Sequence, residues 1–271
     1  MTGAVLAVRD LVVEFDTPEG TVRAVDGVSF DVAAGETLGV VGESGCGKTV
    51  TALAVLGLLP RPPGRIARGR ILLEGRDLLQ LSARQLRQVR GKQVAMVFQD
   101  PMTSLHPAFT VGHQVAEALR AHHPRLRAAA ARARAAELLE LAGVPRAHGR
   151  VGDYPHQWSG GMRQRAMIAM AIANRPKVLV ADEPTTALDV TIQAQVLEVL
   201  RVARQQTGAG MVLITHDLGV VAETADRVAV MYAGRIVEVG DVETIFGAPR
   251  HPYTLGLMAS LPRPDTDLRR L

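Results

Sequence analysis

The sequence predicts an α/β fold built on a mostly parallel central sheet, with an antiparallel β layer at the amino-terminal end and a helical lobe inserted near the middle. Three observations predict it. The apolar run 36–41 feeds a glycine-rich loop and then a helical pattern over 48–58, the strand, loop, helix order of a phosphate site. Short apolar runs of the kind that form buried parallel strands recur at 94–98, 178–181 and 211–215, each followed by polar residues. Between residues 101 and 165 no such run occurs, and apolar positions return at helical spacing instead.

Taken in order, residues 4–15 and 21–32 alternate apolar and polar side chains around Asp16-Thr17-Pro18-Glu19-Gly20, a turn-rich break that predicts a hairpin. The strand ends of the central sheet are expected to line one crevice. The lobe, placed at about 101–165, carries helical patterns over 111–121, 127–141 and 161–173. After Asp217, residues 222–239 return to short strands with Tyr232-Ala233-Gly234-Arg235 as a turn, and the tail from Arg250 is rich in proline. The chain reads as one domain over 1–250 followed by a separate tail, 251–271.

Composition narrows the class. Hydrophobic residues make up 47% and aromatic residues 3%, so the core is aliphatic, as helices packed on parallel strands require. The longest apolar stretch, 50–59, is about half the roughly 20 residues of a membrane-spanning helix, and no signal segment opens the sequence. A soluble, cytoplasmic protein is expected. The single cysteine, Cys46, excludes an internal disulfide and a multi-cysteine metal site. The net charge of +4 comes from 31 basic residues against 27 acidic ones, with many arginines in 125–134. Without interleaved aromatic residues this stretch reads as a solvated helix face, not a nucleic-acid platform.

The chemistry sits in three segments. Gly42-Glu43-Ser44-Gly45-Cys46-Gly47-Lys48-Thr49 fits GxxxxGK[ST], in which glycines let backbone N–H groups turn toward phosphate oxygens, the lysine reaches the β- and γ-phosphates, and the Thr49 hydroxyl ligates Mg²⁺. The following helix presents its positive end to the same anion. The run 178–181 ends in Asp182 and Glu183, one carboxylate to order the magnesium shell and one to polarise attacking water. Ser159, Gly160 and Gly161, just ahead of a helix, form a second anion nest that has no lysine of its own. Cys46, inside the loop at a helix start, is expected to be a reachable thiol with thiolate character, so that alkylation blocks the site and MgATP protects it.

Trp158-Ser159-Gly160-Gly161-Met162-Arg163-Gln164-Arg165 resembles the signature sequence of ABC ATPases, with Met162 where Gln is commonest and Trp158 where Leu is commonest. The resemblance implies a P-loop NTPase fold of ABC type, ATP and Mg²⁺ as ligands, and a head-to-tail dimer in which Ser159, Gly160 and Gly161 close over the nucleotide of another subunit. It also implies roles for further residues. Gln99 resembles the Q-loop glutamine that contacts Mg²⁺ or water, and His216 the switch histidine that reaches the γ-phosphate. Asp189 in Ala187-Leu188-Asp189 resembles the D-loop at the dimer interface, and Phe15 occupies the place of the ring that stacks on adenine. The expected catalytic set is then Glu183, His216 and Gln99, and the expected metal set Thr49, Gln99 and Asp182. The nucleotide-binding set comprises Phe15, the loop residues Gly42 and 44–49, residues 159–161 and Asp189.

Three further segments resemble one branch, the ATPases of dipeptide, oligopeptide and nickel importers: Phe98-Gln99-Asp100-Pro101-Met102-Thr103-Ser104-Leu105, the run 182–191 and His251-Pro252-Tyr253-Thr254. The wording of 160–165 and 169–171 looks like the first of the two ATPases these importers pair, which implies a heterodimer with a second ATPase subunit. Implied too are two membrane permeases, a solute-binding protein contacted indirectly, no nucleic acid, and a peripheral place on the cytoplasmic face of the membrane. The tail 251–271 would begin a C-terminal extension of the peptide-importer type. The sequence departs from the branch at His106, where Asn is common, and at its end, since longer members continue past the His-Pro-Tyr-Thr segment. Which solute is carried, peptide or nickel, stays open. Two other readings compete with this one. ABC ATPases acting on nucleic acid commonly insert a long coiled coil, whereas Gln99 and Ser159 are only about 60 residues apart; a non-catalytic scaffold is disfavoured by the intact Glu183 and His216.

Overall fold

The computed structural model describes residues 3–186 and 188–260. The chain opens with β1 (Ala4–Thr17) and β2 (Gly20–Ala33), the expected hairpin, whose pairing runs on to Thr17 opposite Gly20. The wholly buried β3 (Thr37–Val41) delivers the glycine loop to α1 (Lys48–Leu56). Next come β4 (Gly64–Leu73) and β5 (Arg76–Asp77), which the sequence reading missed. Arginines interrupt the apolar pattern of β4. It is held antiparallel on β1, from Gly64 opposite Phe15 to Leu73 opposite Leu6, while Arg65 pairs with Glu14 and Asp16 at 2.8 and 2.9 Å and Arg68 with Asp10 at 2.9 Å.

After α2 (Ala83–Val89) and β6 (Val94–Val97) the chain enters the helical lobe: α3 (Pro101–Ser104), α4 (Val111–Arg120), α5 (Ala128–Leu141), α6 (Ala147–Arg150) and α7 (Gly160–Ile172). No described residue from 101 to 165 is in a strand. On α5 the Arg132 side faces solvent while Ala131, Ala135, Leu138 and Leu139 pack inward, which makes the arginine-rich stretch a solvated face. His106 closes its own turn as an Asn would, its Nδ1 accepting the Ala108 N–H at 3.2 Å.

The second half runs β7 (Val178–Asp182), α8 (Val190–Thr207), β8 (Gly210–Ile214), α9 (Leu218–Thr224), β9 (Arg227–Tyr232), β10 (Arg235–Asp241), α10 (Val242–Gly247) and α11 (Pro252–Ala259). All four of these helices escaped the sequence reading, and the strands expected over 222–239 begin only at Arg227, because residues 222–224 complete α9. α8 is capped by Asp189, which accepts the Ile192 N–H at 3.0 Å, and stops at Gly208 in the left-handed region. α11 lies in the proline-rich tail because Pro252 sits in its first turn, where a missing N–H costs nothing.

Two sheets result. The first is antiparallel, in the order β2-β1-β4-β5; the second, β10-β9-β3-β8-β7-β6, is parallel from β9 to β6 with β10 antiparallel on β9. Alternate residues of the parallel strands face opposite cores. Val97, Leu179, Ala181 and Leu213 pack under the helical lobe, whereas Val40, Val180, Val212 and Ile214 pack with α1 and the antiparallel layer. Covering both faces explains why these strands read as unbroken apolar runs. The carboxyl ends of β3, β6, β7 and β8 therefore share one edge, and the residues that follow them are the phosphate loop, Gln99, Glu183 and His216. No helix among the described residues is long and apolar enough to cross a membrane.

Candidate nucleotide site

The loop between β3 and α1 has its curl enforced by sterics. Gly42, Gly45 and Gly47 adopt φ of 152°, 80° and 106°. A Cβ at Gly42 would lie 2.0 Å from the Met231 carbonyl oxygen, and one at Gly47 would lie 2.4 Å from that of Ala24. The Lys48 ammonium, at a residue 5% exposed, donates to the carbonyls of Gly42 and Glu43, both at 2.8 Å. Ser44, Gly45, Gly47, Lys48, Thr49, Gln99 and Glu183 line one cleft, together with Ala24 of β2.

Cys46 corrects an expectation. Its side chain is buried, not reachable, and packs into the core between the sheets, with its Sγ 3.8 Å from Lys48 Nζ. Burial pushes the thiol above its usual range, and the nearby Lys48 charge only partly opposes this. The helix start therefore does not make this residue a thiolate.

Asp182 ends β7 at 2% exposure and accepts from Thr49 Oγ1 at 3.1 Å. Burial is the largest influence and raises its pKa; the Thr49 hydroxyl and the Lys48 charge pull the other way, and neighbouring Glu183 adds to the rise. A buried carboxylate facing a hydroxyl, with little else to offset desolvation, suits a hard divalent cation. Thr49 and Asp182 thus fit Mg²⁺.

Glu183 leaves the strand in the left-handed region, at φ 45°, while its N–H still donates to Ile214 O at 2.8 Å. Such a backbone costs on the order of 1–3 kcal/mol in a residue with a side chain, and here it turns the carboxylate into the cleft. Glu183 Oε2 accepts from Gln99 Nε2 and from Thr186 Oγ1, each at 3.0 Å, and Oε1 stands 3.4 Å from His216 Nδ1. The glutamate is mostly enclosed at 16% side-chain exposure, while His216 is open at 61%. Gln99, Glu183 and His216, expected to act together, are thus in contact. Thr186 was missed as a site residue, although a hydroxyl three positions after the acid was the available signal.

The remaining expected residues lie elsewhere. Ser159 is exposed and caps α7, accepting the Met162 N–H at 3.4 Å, and Trp158 before it is buried with its Nε1–H donating to Asp153 at 3.1 Å. Gly161 packs on α8, where a Cβ would meet Ile192 Cγ2 at 2.5 Å. None of residues 159–161 lines the phosphate cleft. Asp189 is an exposed helix cap, and Ala187 lies outside the described residues. Phe15 is half-buried on β1 against Gly64, not on the lining of the cleft.

Residues 25–186 match the family described as ABC transporter. The chain belongs to the ABC transporter family. Residues 237–271 match a second description, the oligopeptide/dipeptide transporter C-terminal region. The chain is 56% identical to the oligopeptide transport ATP-binding protein OppD of Bacillus subtilis over 257 residues, covering 95% of this chain and 72% of that one. It is 54% identical to the dipeptide transport ATP-binding protein DppD of the same organism over 261 residues, covering 96% and 78%. Among solved structures, the dimeric ATP-binding cassette MJ0796 in a post-hydrolysis state with ADP and Pi superposes with a TM-score of 0.77 at 26% identity, covering 88% of this chain and 98% of that one. The two-sheet core with its helical lobe is accordingly the fold of an ABC ATPase.

Proposed function

We propose that this chain is the ATP-binding and ATP-hydrolysing subunit of a peptide importer, working beneath membrane permeases as one half of a pair of ATPase subunits. The observation that carries it is Glu183, turned off β7 beside Asp182 and gathered with Gln99 and His216 at the mouth of the phosphate loop. In this reading Lys48 exchanges the loop carbonyls for phosphate oxygens. A water attacks the γ-phosphorus as Glu183 takes its proton; the bond from the γ-phosphorus to the bridging oxygen breaks, leaving ADP and inorganic phosphate. Gln99 and His216 hold the carboxylate and the attacked group in line. Thr49 and Asp182 would hold Mg²⁺, which when bound neutralises charge on the phosphate oxygens.

Three observations support the partners. The nest at 159–161 stands off the chain's own cleft, so it suits the nucleotide of another subunit. We take that subunit to be a second, different ATPase, from the wording of 160–165. The partly exposed Leu58 and Phe98 flank a mainly apolar groove floored by Met167 and Met170, a surface suited to an apolar segment of a membrane subunit. The names of the similar proteins favour peptide over nickel as the solute. A subunit that works beneath permeases would sit at the cytoplasmic face of the membrane, where ATP is supplied. Reconstitution with candidate permeases and a second ATPase subunit tests the proposal: peptide-stimulated ATP hydrolysis and MgATP-dependent peptide uptake are expected. Hydrolysis indifferent to every peptide offered, with uptake of nickel instead, would overturn the solute class.

A further inference from the structure

The C-terminal helix reaches the phosphate loop from outside. The N–H of Glu43, second residue of the loop, donates to Tyr253 Oη at 3.1 Å. The Tyr253 ring lies 4.4 Å from that of Tyr232, tilted by 37°, so the hydroxyl is presented by a braced ring. Tyr232 ends β9 directly after Met231, whose carbonyl limits Gly42 to glycine. On its other side the same Glu43 offers its carbonyl to Lys48 Nζ at 2.8 Å. A single residue thus connects the phenol to the ammonium that meets phosphate.

The helix that carries Tyr253 is itself fastened. Glu238 of β10 accepts the N–H of Arg250 at 2.8 Å and that of His251 at 3.0 Å, one carboxylate oxygen to each. His251 Nδ1 then accepts the Tyr253 N–H at 3.2 Å and caps α11. These contacts run without a gap from the C-terminal region through Tyr253 to the loop.

We infer that Tyr253 is a positioning residue for nucleotide binding: through the Glu43 N–H it fixes the first turn of the phosphate loop, and with it Lys48, so that the C-terminal helix sets the affinity of the site for a nucleoside polyphosphate. The inference rests on the reading of residues 42–49 as the nucleotide loop. Glu43 is exposed, so water can replace the phenol, and the loss of one hydrogen bond amounts to about a 2- to 10-fold change in an equilibrium.

The test is a titration of the full chain with a fluorescent ATP analogue and Mg²⁺, alongside steady-state hydrolysis in the assembled transporter. Tyr253→Phe, which removes only the hydroxyl, is expected to weaken binding by about 2- to 10-fold and to raise KM without changing kcat. Glu238→Ala, which frees 250–251, should weaken binding in the same sense, whereas Leu255→Ala on the exposed side of α11 should bind as wild type. Lys48→Ala tests the underlying reading separately and should abolish binding. If Lys48→Ala fails to bind but Tyr253→Phe binds as wild type, or loses kcat with KM intact, the tyrosine proposal is overturned while the loop reading stands. If Lys48→Ala binds normally, both fall.

Discussion

Replacing Glu183 by glutamine separates the chemistry of the site from its architecture. The two side chains have the same length and shape. Glu183 Oε2 receives donors from Gln99 and Thr186, and an amide oxygen in that place can keep both, each now at 3.0 Å. The amide nitrogen would then face His216 Nδ1, 3.4 Å from the present Oε1, where it can donate to the neutral imidazole. Nothing in the fold or the phosphate loop is disturbed, so MgATP binding is expected to stay near wild type. What disappears is the proton acceptor. A positioned base contributes about 10²–10⁴ in rate, which at 1.36 kcal/mol per tenfold adds roughly 2.7–5.4 kcal/mol to the barrier. The assay is phosphate release by the assembled transporter at saturating MgATP, with binding measured in parallel. Turnover close to wild type would refute the assignment of Glu183 as base, and loss of binding together with turnover would refute the argument that the amide preserves the network.

Three other outcomes follow from the same geometry. Asp182→Asn should raise the melting temperature of the nucleotide-free chain at neutral pH while abolishing Mg²⁺-dependent hydrolysis; because burial raises the Asp182 pKa, the wild type loses stability as pH rises from its unfolded value to its higher folded one, and the variant should lack that loss in a pH series of melting curves. Cys46 should resist alkylation in the native chain and react only on unfolding, and a labelling time course as fast as that of a small free thiol would show that the core around it is open. Ser159→Arg should leave the chain's own ATP affinity intact, cost about 1 kcal/mol of stability through the lost α7 cap, and block ATP-dependent closure on the partner; abolished binding by the folded variant would join two surfaces that the structure holds apart.

The sequence was most legible where a local pattern had one physical cause. The phosphate loop could be read because its glycines answer to backbone clashes at Met231 and Ala24, and the parallel strands because burial on both faces leaves unbroken apolar runs. What escaped depended on distant neighbours. β4 is a strand because β1 supplies partners for its backbone and acids for its arginines. Cys46 looked reachable from its place in a ligand loop, yet the direction of its side chain is set by the packing of the two sheets, which no local motif records. Tyr253 and the loop residue it meets are 210 positions apart in the chain. The caps of α8, by contrast, were present at Asp189 and Gly208 and could have been read.

The bonds from Lys48 to the carbonyls of Gly42 and Glu43 carry a consequence for ligand selection. Two of the three ammonium N–H groups are held by the loop's own carbonyls, so an anion meets one donor there and gains the others only in exchange for those bonds. A lone phosphate brings few other contacts to that exchange. A triphosphate, which gathers loop amides and the ammonium along one flexible chain, can make it in several coupled steps. Discrimination against the abundant small anions of a cell would thus begin at the backbone, before any contact with the base or sugar is made.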